Sequence, residues 1–396
     1  MTPLLPLAEA QQRLLAQITP LPVERIAVED SAGRWLAEPL TAQRMQPAAD
    51  LSSMDGYAVR GDDLSGPWQV VGESAAGHPW PGVLAIGQAL RIATGALVPQ
   101  GAGAVLIQED CARKGDLVTL TGTLPDPVGR HIRRRGFDFS DGTPLLPAGT
   151  RMGPAQIALA IAGGHSTVSV HRLPHVAIID SGDELAPPGM PCPPHQLPAS
   201  NGAMLAAMVG ALGCRVTRIG PVRDDLEALV GALEQAGAAD VIVTSGGASV
   251  GDHDLIRPAL KQWGATLAFW RVAMRPGKPV MHARRGNIQV LGLPGNPVSG
   301  LVCAYFFLLP MLRALGGADH VLPRRVMARA AGALAAGGTR QEFIRGLWDG
   351  ESVVPNPMRD SSALAAMAAS NCLIDRPVGA DRVEMGEILG IYLLDL

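Results

Sequence analysis

The segment from Asp240 to Trp263, DVIVTSGGASVGDHDLIRPALKQW, reads as a strand, a glycine-rich turn and a helix in succession. DVIVTSGG is the strand and the turn it enters, and Asp252 to Trp263 is the helix. The same alternation continues on both sides. HVAIID from His175 is a buried strand, and Asn201 to Leu212 is a helix starting on Ser200 or Asn201 and ending at Gly213. RVTRIG is a strand and Asp224 to Gln235 a helix with carboxylates at its positive end. LAFWRVAM and NIQVLGLPG are further strands, and Val298 to Leu315 is a long apolar helix. This alternation predicts βαβ units on one doubly wound, mostly parallel sheet over residues 173–317.

Outward from that unit the character changes. Leu7, Leu14, Leu15 and Ile18 share one helical face, and Thr19-Pro20 ends that helix. From Leu51 to Leu124, short apolar stretches such as WQVVG and GAVLIQE are divided by Gly, Pro and Asp, which predicts a small β domain. A basic, turn-rich stretch follows, then a helix from Pro154 to Ala162 closed by Gly163-Gly164. After Gly317, FIRGLWDGESVVPNP and GEILGIYLLDL predict a C-terminal β domain interrupted by a helix near Ala363 to Ala369.

Composition narrows the function. The net charge of −3 argues against a general nucleic-acid binder, yet leaves room for a local basic pocket. The cysteines at 111, 192, 214, 303 and 372 form no CxxC pair, so reduced thiols are expected, with no zinc ribbon or disulfide framework. The N-terminus lacks the basic start of a signal peptide. The longest apolar run, Leu301 to Leu312, is about 12 residues and contains Pro310, short of the roughly 20 that span a bilayer. A cytoplasmic location is the expectation.

Three loops carry candidate chemistry. In the first, Gly246 and Gly247 allow close backbone approach, while Thr244, Ser245 and Ser249 offer hydroxyls. The carboxyl ends of parallel strands and the helix start beyond them suit an anionic, phosphorylated ligand. GxxxxGK[ST] and GxGxxG are both absent, which excludes a P-loop and a dinucleotide fingerprint. In the second, MRPGKPVMH places Arg275 and Lys278 beside Pro-Gly bends as phosphate-type grips. In GLPGNPVSG, Pro294, Gly295, Asn296 and Pro297 form a stiff loop, with Ser299 in the first turn of the next helix. Both loops are expected to follow strands of the same sheet and border one crevice. The third is SSMDGYAVR, where Asp55 is a carboxylate suited to a metal or to a base. Thr94 in IATGALVP, Asp138 in RRRGFDFSDG, and Asp183 and Glu184 in IDSGDEL join this group of open candidates. No HExxH occurs, which argues against a zinc protease.

Taken in order, SSMDGYAVR, IATGALVP, RRRGFDFSDG, SGDEL, TSGGASVGDHD, RPGKP and GLPGNPVS resemble molybdopterin molybdenumtransferases of the MoeA type, a family that includes the E domain of gephyrin. The resemblance spans almost the whole chain. It implies a multidomain α/β plus β protein. Residues 1–48 and 137–172 would form a discontinuous linking domain, 49–136 the small β domain, 173–317 a MogA-like α/β domain, and 318–396 a C-terminal β-barrel. The implied reaction converts adenylylated molybdopterin and molybdate into molybdenum cofactor and AMP, with Mg²⁺, in a homodimer whose site lies at the subunit interface. Pterin adenylyltransferases and molybdoenzyme-maturation proteins are the implied partners, without nucleic acid or membrane. By residue, Asp55, Thr94, Asp138, Glu184 and Asp254 would form the catalytic set, and Asp55, Glu184 and Asp252 the metal ligands. The stretch from Thr244 to Ser249 would hold the pterin phosphate region, and Arg275, Lys278 and Ser299 would receive molybdate, with Arg340 or Arg345 adding a cation. Phe137 stands where the family often has Glu, and Arg275 where it has Lys. The alternatives from neighbouring classes are a pterin adenylyltransferase, a tungsten-inserting paralogue and a non-enzymatic scaffold.

Overall fold

The computed structural model describes residues 4–246 and 255–394. Its centre is a six-stranded sheet in the spatial order Arg215–Val222, His175–Ser181, Val241–Ser245, Ile288–Leu293, Met281–Arg285, Thr266–Trp270. The first three pairings are parallel and the last two antiparallel, so Met281–Arg285 alone runs against the rest. The sheet is mostly parallel, as expected, but the Met281–Arg285 strand was not anticipated. Its arginines and the Pro-Gly bends before it disguise a hairpin as a loop.

Period-two side-chain alternation explains why these apolar strands need cover on both faces. Val176 and Ile178 join one buried cluster with the helices Leu7–Leu15, Asn201–Gly210 and Pro297–Cys303. Ala177 and Ile179 join another, with Leu226–Gln235 and Ile256–Gln262. Asp225 caps its helix by accepting the Ala228 N–H at 2.9 Å.

The helix entered at Pro297 runs on to Leu315 over 19 residues. It is long and apolar enough to cross a membrane, yet 89% of its apolar window is buried inside the fold. A π-helical turn at Ala304–Leu308 re-aims its middle. Phe306 meets Phe343 at 4.2 Å and Tyr392 edge-on at 5.0 Å, and the Tyr305 hydroxyl donates to the Leu393 carbonyl at 2.8 Å. These contacts seat the α/β unit on the C-terminal strands. There, Arg325–Ala330, Gln341–Trp348, Ser352–Pro355, Cys372–Arg376 and Ile388–Leu393 close into a five-stranded barrel, because Gln341–Trp348 pairs with both Ser352–Pro355 and Cys372–Arg376.

Two further sheet-rich regions precede the α/β unit. Val23–Ala27 pairs antiparallel with Thr167–His171, and Leu40–Thr41 with Pro144–Leu146, so residues distant in sequence share one core with the helix Pro154–Ala162. Between them lies a six-stranded sheet in the order Ala104–Ile107, Gly56–Val59, Gln88–Ile92, Trp68–Ser74, Leu117–Leu120, Cys111–Lys114. Trp68 is fully buried there.

Candidate functional site

The sequence-predicted residues fall into three groups. The first lies on the small β sheet. Asp55 immediately precedes Gly56–Val59, where a Cβ on Gly56 would lie 1.8 Å from the Leu106 carbonyl oxygen, so only glycine fits. One oxygen of Asp55, Oδ1, accepts both the Thr94 N–H at 2.6 Å and the Thr94 hydroxyl at 3.0 Å. These bonds from Thr94 lower the Asp55 pKa below the ordinary carboxylate value. Neither bond uses Oδ2, and the residue is exposed. Asp138 lies off that sheet, its N–H donating to the Gln46 carbonyl at 2.9 Å, and is exposed beside Phe137, which is 75% exposed. Among the described residues, no hydrogen bond, ion pair or β-ladder joins this group to the α/β unit.

The second group lies at the carboxyl edge of the central sheet. Thr244 and Ser245 end the strand Val241–Ser245, in register with Ile179 and Asp180. Gly246 has φ 105°, and a Cβ there would meet the Ser181 carbonyl oxygen at 2.2 Å. Gly247, Ser249, Asp252 and Asp254 lie outside the described residues. Thr244 is wholly buried, and its hydroxyl has no hydrogen bond among the described residues; the same holds for Ser181 Oγ and Asp180 Oδ1. Among the described residues, three buried polar atoms at one sheet edge thus lack a partner, as suits a place that receives a polar ligand. Sequence reading passed over Asp180 and Ser181. An acid inside the apolar run AIID was the available signal. Burial raises the Asp180 pKa, against the pull of Arg218 at 3.6 Å. Glu184 is exposed, beyond the same strand.

Asn201 ties this edge to the next loop. Its Nδ2 donates to Ser245 Oγ at 2.9 Å and to the Gly295 carbonyl at 2.7 Å. The Pro294–Pro297 loop then reaches the barrel, where Asn296 Nδ2 donates to Ser361 Oγ at 3.0 Å.

The third group lines a cavity of about 490 Å³ between the loop of residues 275–279 and the barrel; Pro294, Gly295, Asn296 and Pro297 are not among its lining residues. Arg275, Lys278, Ser299, Arg340 and Arg345 all line it, so the predicted oxyanion residues are brought together. Both loops follow strands of the central sheet, as expected, one after Thr266–Trp270 and the other after Ile288–Leu293, but the first also makes a pairing that was not foreseen. The chain leaves Thr266–Trp270 through Arg271, at φ 69°, and Met274–Arg275 pairs in parallel with Gln341 and Glu342 of the barrel. A two-residue ladder on a strand far along the chain leaves no periodicity to read. Arg275 forms an ion pair with Glu342 at 3.1 Å. Arg345 is buried and donates to the carbonyls of Met358, Asp360 and Ala363. It is therefore foremost the anchor of the loop that roofs the cavity. The start of the Pro297–Leu315 helix also faces the space through Val298 and Ser299, adding the positive end of a helix to the cations. Arg359 and Ser361 line the same cavity and were not singled out from sequence.

Comparisons with known proteins agree in extent and order. Residues 5–164 match the model described as MoeA N-terminal region (domain I and II), 177–314 a probable molybdopterin binding domain, and 327–394 the MoeA C-terminal region (domain IV). A molybdopterin molybdenumtransferase of Nostoc sp. is 37% identical over 90% of this chain and 85% of its own. One from Haemophilus influenzae is 32% identical over 98% of each chain. A solved molybdopterin biosynthesis moeA protein from Pyrococcus horikoshii superposes with TM-score 0.85 at 26% identity, covering 99% of this chain and 100% of that one.

Proposed function

Because the chain belongs to the molybdopterin molybdenumtransferase family, we propose that it catalyses molybdenum insertion in molybdenum cofactor biosynthesis. Adenylylated molybdopterin and molybdate are the substrates, and AMP is released. The observation that carries this reading is the cationic cavity, in which Arg275, Lys278, Ser299 and Arg340 surround a space fit for a small oxyanion. Molybdate is a tetrahedral dianion, and guanidinium, ammonium, hydroxyl and helix-start N–H groups match it.

The residues take the following roles. Arg275, Lys278 and Ser299 hold molybdate, helped by Arg340. The sheet edge from Thr244 through Gly246 receives the phosphate end of the pterin, and Asn201 keeps that edge in register with the loop holding Gly295 and Asn296. Asp55 is held ionised by Thr94 and orients the reacting phosphate region. Its free Oδ2 and the Glu184 carboxylate are hard oxygen donors. They fit Mg²⁺ in the manner that completes its shell with substrate phosphates, since no three His, Cys, Asp or Glu cluster among the described residues. When bound, Mg²⁺ would neutralise charge on the phosphates. Asp55 belongs to a region with no described bond to the cavity, which favours a homodimer in which one subunit's Asp55 serves the partner's cavity. All five cysteines are unpaired, in keeping with the reducing cytoplasm.

The direct test is AMP release from adenylylated molybdopterin with and without molybdate and Mg²⁺. Molybdate-dependent release is expected. Formation of adenylylated pterin from ATP, with no molybdate-dependent release, would assign the chain to the adenylyltransferases instead.

A further inference from the structure

We infer that Arg359 binds the oxyanion directly, as a second cation from the barrel side of the cavity beside Arg340. This rests on the reading of the cavity as the molybdate site.

Arg359 lies between two pinned neighbours. The Met358 and Asp360 carbonyls both accept from Arg345, and the Ser361 hydroxyl and carbonyl accept from Asn296 Nδ2 at 3.0 Å and the Val298 N–H at 3.2 Å. The Asp360 carboxylate is turned to its own loop, accepting the Ser362 N–H at 2.8 Å and the Ser362 hydroxyl at 2.6 Å. The backbone of this loop is thus fixed against both the α/β unit and the barrel. The Arg359 side chain lines the cavity and makes no hydrogen bond or ion pair to a described residue.

Charge then decides what it awaits. Arg275 and Arg345 repel the Arg359 guanidinium, and Glu342 is the carboxylate that attracts it. Glu342 is already paired with Arg275 at 3.1 Å. Lys278 and Arg340 add two more cations facing the same space. A loop held this firmly, presenting an unpaired cation to other cations, favours an anion that neutralises them. A doubly charged tetrahedral oxyanion does so better than a single charge, and a guanidinium can grip two of its oxygens at once.

The test uses the full-length protein with Arg359→Gln and Arg359→Lys. Steady-state AMP release gives KM for molybdate, KM for adenylylated molybdopterin and kcat. Calorimetry with tungstate alone gives a binding constant that needs no turnover. The Gln variant is expected to raise the molybdate KM and weaken tungstate binding by about tenfold or more, the effect of losing one charged hydrogen bond. KM for the pterin and the melting temperature should stay near wild type, and Lys should recover part of the loss. If wild type is active and the Gln variant keeps both its molybdate KM and its tungstate affinity, the assignment of Arg359 is overturned alone. If wild type shows no molybdate-dependent release, the functional reading falls. Tungstate affinity then decides Arg359 by itself: weaker binding in the Gln variant upholds it, and unchanged binding overturns it.

Discussion

Asp55 and Arg345 are held by opposite means. Asp55 sits exposed at a strand start, fixed by one threonine through two hydrogen bonds to a single oxygen. Arg345 is buried on a barrel strand and fixes others, binding three carbonyls of the loop that roofs the cavity. The small β sheet offers a reactive group that its surroundings barely depend on. The junction of barrel and α/β unit offers a preformed space whose groups are also structural. Substitutions in the first region should therefore strip activity and leave the fold intact, whereas those in the second should disturb both together.

The largest effect expected is at Asp55. Asp55→Asn keeps the shape and removes the charge, and turnover should fall by about a hundredfold or more. Thermal melting and oligomeric state should match wild type. A variant that melts early would erase the contrast between the two regions. Next comes Arg345→Met, which leaves three carbonyls without their donor. Urea unfolding should show a loss of about 3 kcal/mol, and the molybdate KM should rise in the same protein because the roof loop loses its anchor. A variant with full stability and a raised KM would show instead that Arg345 is a ligand and little else.

The same contrast explains what could be read from sequence. Strands such as HVAIID and DVIVTSGG announce themselves by apolar runs between turns, and the α/β unit was legible for that reason. Asp55 and Thr94 were legible as separate motif members, because each sits in a local turn. Their contact was not, since 39 positions of chain separate them. The cavity was legible in its residues but only partly in its route. Arg275 does lie beyond Thr266–Trp270 of the central sheet, as expected, but its pairing with Gln341 and Glu342, 67 positions away, left no trace in the sequence. Arg359 carried no signal at all, since an arginine in PNPMRDSS looks like any solvated turn until the tertiary fold closes it against Arg275.

Smaller effects separate the regions by pH. Thr94 holds the Asp55 pKa below the ordinary value, chiefly through its N–H and then its hydroxyl. Thr94→Val removes the hydroxyl bond, so the Asp55 pKa should rise toward normal. If the ionised carboxylate is the working form, the acid limb of the kcat/KM profile moves to higher pH, with turnover near neutrality reduced several-fold at most. An unchanged acid limb would mean that another group sets it.

The smallest effect should appear in the framework and touch stability rather than rate. His282 is fully buried on Met281–Arg285, the strand that follows the Arg275–Lys278 loop, with Nε2 bonded to Gln289 Oε1 at 2.9 Å. Its Nδ1 has no partner among the described residues. Burial lowers its pKa, outweighing the Gln289 hydrogen bond. The unfolded chain therefore binds a proton at this position first, once the pH drops below about 6.5. Stability from the neutral ring is fully present above that value and declines as the pH falls toward the folded pKa. His282→Gln keeps a partner for Gln289 and cannot titrate. Urea midpoints at pH 7.5 and 5.5 should differ less in this variant than in wild type. Asp180 responds with the opposite sign, because its raised pKa favours the fold as pH drops, but it is common to both proteins and cancels from the comparison. Equal slopes for the two proteins would remove His282 from the account and leave the acid sensitivity of the framework to its carboxylates.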